Sequence, residues 1–212
     1  MRAQKLIRRA SAAVITLPSF APKGRGAATP GTSGLEVRSG AAIVLPNITA
    51  VDKVNLTIRG SGQVGTAQLR SVTGAEIHLD ATTNDFPSLT NIVGTHLSVE
   101  HAARLTIAGA TRLARTNAGN LKVVAWDAQS AIDLPNVTNL VLQPFYRLLA
   151  EVYNGGRISL PGLATLNGSV GATADGSNSV IELPGLRGRV INPDQGAAYF
   201  TARNGGSILI TN

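Results

Sequence analysis

One phrase, Ile-x-Leu-Pro followed by a small or polar residue and then an apolar one, recurs along this 212-residue chain as ITLPSF, IVLPNI, IDLPNV, ISLPGL and IELPGL. Its prolines are Pro18, Pro46, Pro135, Pro161 and Pro184. Phe86-Pro87-Ser88-Leu89 is a sixth copy, and GTAQL and LTIAGATRL supply two more with Ala67 and Ala108 at the proline position. Closed by Ile208-Leu209-Ile210-Thr211, the copies stand 20–28 residues apart, the period of solenoids, propellers and arrays. A unit that short cannot bury its own apolar face, so the units have to stack.

Each unit reads alike. An alternating run such as Asn55-Leu56-Thr57-Ile58, Glu76-Ile77-His78-Leu79 or His96-Leu97-Ser98-Val99 leads into a polar or Gly-rich corner, then into the Ile-x-Leu-Pro strand. Alternation with period two signals strands with one buried face. Corners such as Asn154-Gly155-Gly156 and Asn204-Gly205-Gly206 carry the residues that accept positive φ. Proline lacks a ladder donor, which places it at a strand end where the chain turns. The segment from Thr138 to Ala150 is the best place for a short helical insertion.

These features predict an all-β parallel β-helix of about eight coils, right-handed as about 98% of parallel crossovers are. Leucine-rich repeats share the spacing of LPNVTNL and LPGLATL, but they carry a helix or an Asn ladder at fixed offset, and neither is regular here. In the expected register Ile43, Leu45, Ile132, Leu134, Ile158, Leu160, Ile181 and Leu183 are buried, with Asp133, Ser159 and Glu182 pointing out. Thr57, His78, Ser98 and Lys122 then form one outer column, too irregular in size and charge for the flat Thr array of an ice-binding face.

IDLPNVTNL, ISLPGLATL, the NGG-x-Ile corners and LTIRGSGQVGTAQLRSVTG resemble repeat segments of very large bacterial surface proteins of planctomycete type, with coils of the form IDL(S/P)xLTxL. The resemblance runs from about Ser39 to Asn212. It implies a parallel β-helix, an extracellular or cell-surface setting and no assigned enzymatic activity, and it carries over no catalytic residues. This chain differs in having Pro where such coils often have Ser, and in being far shorter.

Residues 31–212 read as a single solenoid domain. Residues 1–30 are a basic N-terminal arm or cap, or the first coil; Ala10 to Leu17 followed by Ser19-Phe20-Ala21 also has the look of a secretory signal. Of the net charge of +7, Arg2, Lys5, Arg8, Arg9, Lys23 and Arg25 carry six, leaving a nearly neutral body without the basic stripe of a nucleic-acid binder. Cysteine is absent, which excludes a disulfide-stapled fold. No apolar run is long enough to span a membrane as a helix.

Candidate chemistry is sparse, and no cofactor is implied. Aligning the Glu76 and His96 strands brings Glu76, His96, Asp80 and Glu100 onto one outer surface as metal-ligand candidates, although residues alternating with buried Ile and Leu are ordinarily just solvated. Asp133 and Glu182 share a repeat position two coils apart, about 10 Å at sheet spacing, at the long end for a carboxylate pair. Trp126 and Tyr153 precede equivalent corners, so their rings could stack as a platform for a sugar, with Asp127, Asn154 and Arg157 as polar neighbours and Arg203 ending the column. In the competing arrangement Trp126 is buried beneath the 138–150 segment against Phe145 or Tyr146.

The expected function is a non-enzymatic, structural or adhesin-like surface module, extracellular or on the cell surface. The alternative is a carbohydrate-binding or polysaccharide-processing β-helix. The expected partners are a polysaccharide, or a neighbouring chain or coil at the C-terminal edge, with no nucleic acid.

Overall fold

The computed structural model describes residues 7–11, 14–16, 33–115, 119–143, 146–190 and 198–211. They build an all-β parallel solenoid of about seven turns without helices. Each turn lays a strand on a long face, a strand of two or three residues on a short face and, in most turns, a third strand that closes the coil. The long face is one nine-stranded parallel sheet. Its register runs Leu35 to Leu56 to Ile77 to Leu97 to Val123 to Ala150 to Ala172, one residue per coil. Eight of its strands, from Ser33–Arg38 to Ala198–Arg203, make the seven turns. At the N-terminal end Ile7–Ser11 pairs with the Ser33–Arg38 strand, and Val14–Thr16 pairs with Ala42–Val44. The rest of residues 1–32 lies outside the described set, as do Pro144 and Phe145.

The proline phrase is a strand followed by a turn. Ile43, Ile132, Ile158 and Ile181 are fully buried on the short face, and the Leu that follows each is 0–3% exposed. From that Leu carbonyl the chain closes a four-residue β-turn, with Ile48 N–H donating to Leu45 O at 3.2 Å, Leu163 N–H to Leu160 O at 3.2 Å and Leu186 N–H to Leu183 O at 3.1 Å. Proline takes the second position of that turn, where its fixed φ suits the bend and its missing N–H costs no ladder bond. Phe86, standing for Leu in the sixth copy, is fully buried and closes the same turn with Leu89.

The predicted inward set is buried throughout, and Asp133 and Glu182 face outward as expected. Ser159 faces outward with them but is covered. It lies between those two acids in the same column, yet it is only 6% exposed, because Arg157 reaches across to both of them. The described part of the 138–150 segment is not helical: Asn139–Leu142 is a strand paired with Arg112–Arg115, and Arg147–Tyr153 belongs to the long face. Leu140 and Leu142 are buried while Val141 between them is exposed, a period of two.

Corners between the long and short faces differ in length. Asn154-Gly155 and Asn204-Gly205 each place two successive residues at positive φ, the pattern that favours Asn-Gly. The Trp126 and Asp175 strands are followed by four-residue corners that end in buried Ser130 and Ser179.

Candidate functional site

Outward side chains of the long face fall into columns set by the register. One column runs Arg59, Asp80, Glu100; one step beyond the Val99–Ala125 pair stands Trp126, and the column continues through Tyr153, Asp175 and Arg203. A strand spacing of about 4.8 Å brings each of these within reach of its neighbours. Short polar and charged side chains here therefore meet across coils.

Trp126 and Tyr153 form the predicted stack, with ring centroids 4.1 Å apart and planes 16° from parallel. Trp126 is 42% exposed, so the arrangement in which it is buried under the 138–150 segment does not occur. Tyr153 is part-buried; burial and the Glu151 charge push its hydroxyl pKa up, so it stays a neutral hydrogen-bonding group. Asp127 and Asn154 sit at the adjoining corners, both at positive φ. Beyond Tyr153 the column turns ionic: Asp175 accepts from Arg203 Nε at 2.9 Å and from the Asn204 side chain at 2.7 Å, which holds its carboxyl low. Arg203 is in the column as expected.

Arg157 is committed elsewhere. Its guanidinium donates to Glu182 through Nε at 3.0 Å and Nη2 at 2.7 Å, and to Asp133 through Nη1 at 2.8 Å. This strap joins three successive coils. The Arg157 hydrogen bonds hold the Glu182 carboxyl below its ordinary range, outweighing its partial burial. The two acids weighed as a catalytic pair are thus bridged by a cation.

The four metal-ligand candidates divide into two groups. Glu76 pairs with His96 and Asp80 with Glu100, as the alignment predicted. His96, however, lines a shallow recess of about 210 Å³ with Asn55, Glu76 and Arg115, away from the other two. Its Nε2 lies 3.1 Å from Arg115 Nη1 and its Nδ1 accepts from Lys122 N–H at 3.0 Å. Burial and the Arg115 charge lower its pKa, which favours the neutral ring.

Asp80 and Glu100 instead gather two histidines that the alignment did not assign to them. His78 Nε2 is 3.2 Å from Glu100 Oε1, and His101 Nδ1 is 2.8 Å from Asp80 Oδ1. Arg59 Nη1 holds the other Asp80 oxygen at 2.7 Å. Partial burial pushes the Asp80 carboxyl up, but the His101 hydrogen bond and the Arg59 and His101 charges outweigh it, and the net shift is downward. The exposed His101 is raised by its hydrogen bond to Asp80.

Lys122 also differs from expectation. Val123 pairs with Leu97, so Lys122 stands beside His96, and Val124 continues the Thr57, His78, Ser98 column. Among the described residues no helix is long and apolar enough to cross a membrane. No protein-family model, curated protein or solved structure matches this chain.

Proposed function

We propose that the protein is a non-enzymatic surface module, extracellular or displayed on a cell, whose role rests on a rigid and repetitive scaffold. The observation that carries this reading is the unbroken nine-strand ladder over a continuous aliphatic core. Charged groups on its outside are engaged from coil to coil, as in Arg59 with Asp80, Arg157 with Asp133 and Glu182, and Arg203 with Asp175. Such pairs tie the coils together. The likeness of IDLPNVTNL, ISLPGLATL and the NGG corners to planctomycete-type surface repeats supports the same reading. Protease shaving of intact producing cells tests it: the chain should be cut without lysis, and protection until lysis would refute surface display.

A second reading is carbohydrate contact at the Trp126–Tyr153 stack, favoured by the parallel rings and the exposure of Trp126. A flat aromatic pair offers an apolar platform to a pyranose ring. Trp126 is the single tryptophan, so its fluorescence reports that surface alone. On a glycan array Trp126→Ala should lose retention while costing less than about 1.5 kcal/mol of stability. Equal retention by both proteins would remove this reading. A neighbouring chain or coil is the other proposed partner, at the C-terminal edge where Tyr199, Phe200, Leu209 and Ile210 are exposed.

A further inference from the structure

The geometry points to a divalent metal site of the zinc class on the long outer face, held by His78 Nε2, Glu100 and Asp80. His78 and Asp80 are two apart on one strand and so share a face, and Glu100 lies directly across the ladder from Asp80. One ligand atom from each of the three lies within 4.8 Å of the other two. Their side chains are 20%, 31% and 17% exposed, half-sheltered yet open to an entering ion.

The hydrogen-bond pattern behind His78 supplies an independent argument. Ser98 Oγ donates its one proton to Glu76 Oε1 at 2.8 Å. The same Oγ is 2.8 Å from His78 Nδ1, so it must accept there, and Nδ1 carries the hydrogen. In that tautomer the Nε2 lone pair faces Glu100 Oε1 at 3.2 Å, where a metal ion would engage both. Ligating imidazoles characteristically donate their far N–H to a supporting group, and the Ser98–Glu76 relay is such a support.

The donor set selects the ion. Nitrogen beside two carboxylates suits zinc and its neighbours, whereas calcium and magnesium take oxygen ligands. Zinc–ligand bonds of about 2.0–2.2 Å put ligand atoms roughly 3.3 Å apart, so His78 and Glu100 are already spaced for it and Asp80 closes in by up to about 1.5 Å. Arg59 competes for Asp80 Oδ2, which leaves Oδ1 as the metal-binding oxygen. His101, now on Oδ1 and 63% exposed, is the group that gives way or supplies a fourth ligand.

Calorimetric titration of the full chain with zinc sulfate, paired with elemental analysis after dialysis, tests the site. One zinc per chain is expected, with His78→Ala and Glu100→Gln abolishing it. Ser98→Ala should weaken binding about 10–100-fold through loss of the support, and His96→Ala should leave it unchanged. Circular dichroism melts exclude misfolding, and imidazole NMR of the unaltered protein gives a second readout, in which zinc should shift the His78 ring signals. No stoichiometric uptake, equal uptake by His78→Ala, or His78 signals indifferent to saturating zinc would each overturn the proposal.

Discussion

Replacing Gly156 by alanine should destabilise the stack through the backbone of the coil beneath it. A Cβ built on Gly156 falls 2.9 Å from the Ala125 carbonyl carbon and 3.2 Å from Ala125 Cβ, and closer still to the Ala125 oxygen. Gly156 is not at positive φ, so the obstacle is space and not dihedral strain. Gly206 meets Ala174 in the same way, and in both cases the coil beneath has a four-residue corner. Ala41 and Ala103 close other three-residue corners and are fully packed, so the position itself admits a methyl where the coil beneath allows one. Relief at Gly156 requires its corner to rise, against Arg157 N–H to Ser130 O and Val180 N–H to Gly156 O, both 2.9 Å. Overpacking costs about 1–3 kcal/mol, and a weakened hydrogen bond adds about 0.5–1.5 kcal/mol. The sum is about 1.5–4.5 kcal/mol, or roughly 3–18 °C in melting temperature for a chain of this size. Thermal melts followed by circular dichroism, with hydrogen exchange at the Arg157 amide to localise the loss, form the assay. A Gly156→Ala protein within about 0.5 kcal/mol of the parent, with Arg157 equally protected, would refute the steric argument.

The His101–Ala102 corner holds two non-glycine residues at φ +54 and +61; Ala102→Gly should therefore raise stability by about 0.5 kcal/mol, the left-handed penalty less the added unfolded-state entropy, and a lowered melting temperature would contradict it. Glu182 has a folded pKa below its unfolded one, so its contribution is full above the ordinary carboxylate range and is lost as pH falls through the folded value. Arg157→Gln should therefore flatten the loss of melting temperature below about pH 4.5, and an unchanged acid slope would count against the strap. His96, whose folded pKa is depressed, destabilises the fold as pH drops from about 6.5 toward that folded value; His96→Gln should remove this part of the pH profile, as read by melts between pH 7 and 5, and an unaltered profile would exclude His96 as its source.

What could be read from the chain divides along a physical line. The proline phrase, the alternation and the Asn-Gly corners are local, and local chemistry determines them, so the buried Ile and Leu positions were legible, whereas an exposed Trp126–Tyr153 stack and a buried Trp126 fitted the sequence alike. A register error of one residue would expose the core, but a slip of two preserves every inward side chain. Pattern alone sets Lys122 beside Ser98, two residues from its true neighbour His96, because Leu121-Lys122-Val123 imitates Leu97-Ser98-Val99. The His96 strand was aligned correctly, yet its imidazole turned toward Arg115 while His78 met Glu100. Those choices belong to side-chain rotamers and to neighbours on the next coil, which a linear pattern does not encode. The 138–150 segment was ambiguous because a short apolar run fits either period, and pairing with Arg112–Arg115 decides it.

The strap of Asp133, Arg157 and Glu182 bears on how such a stack comes apart. In a quasi-one-dimensional array each unit is held only by its two neighbours, so interior opening is limited by the sum of two interfaces and unravelling starts at the ends. Arg157 binds the coil on either side of its own. Opening the middle coil strips both acids of their counter-charge at once and leaves two carboxylates facing each other across the gap. Fraying that reaches either flank of the strap therefore has an ion pair to break as well as a backbone ladder.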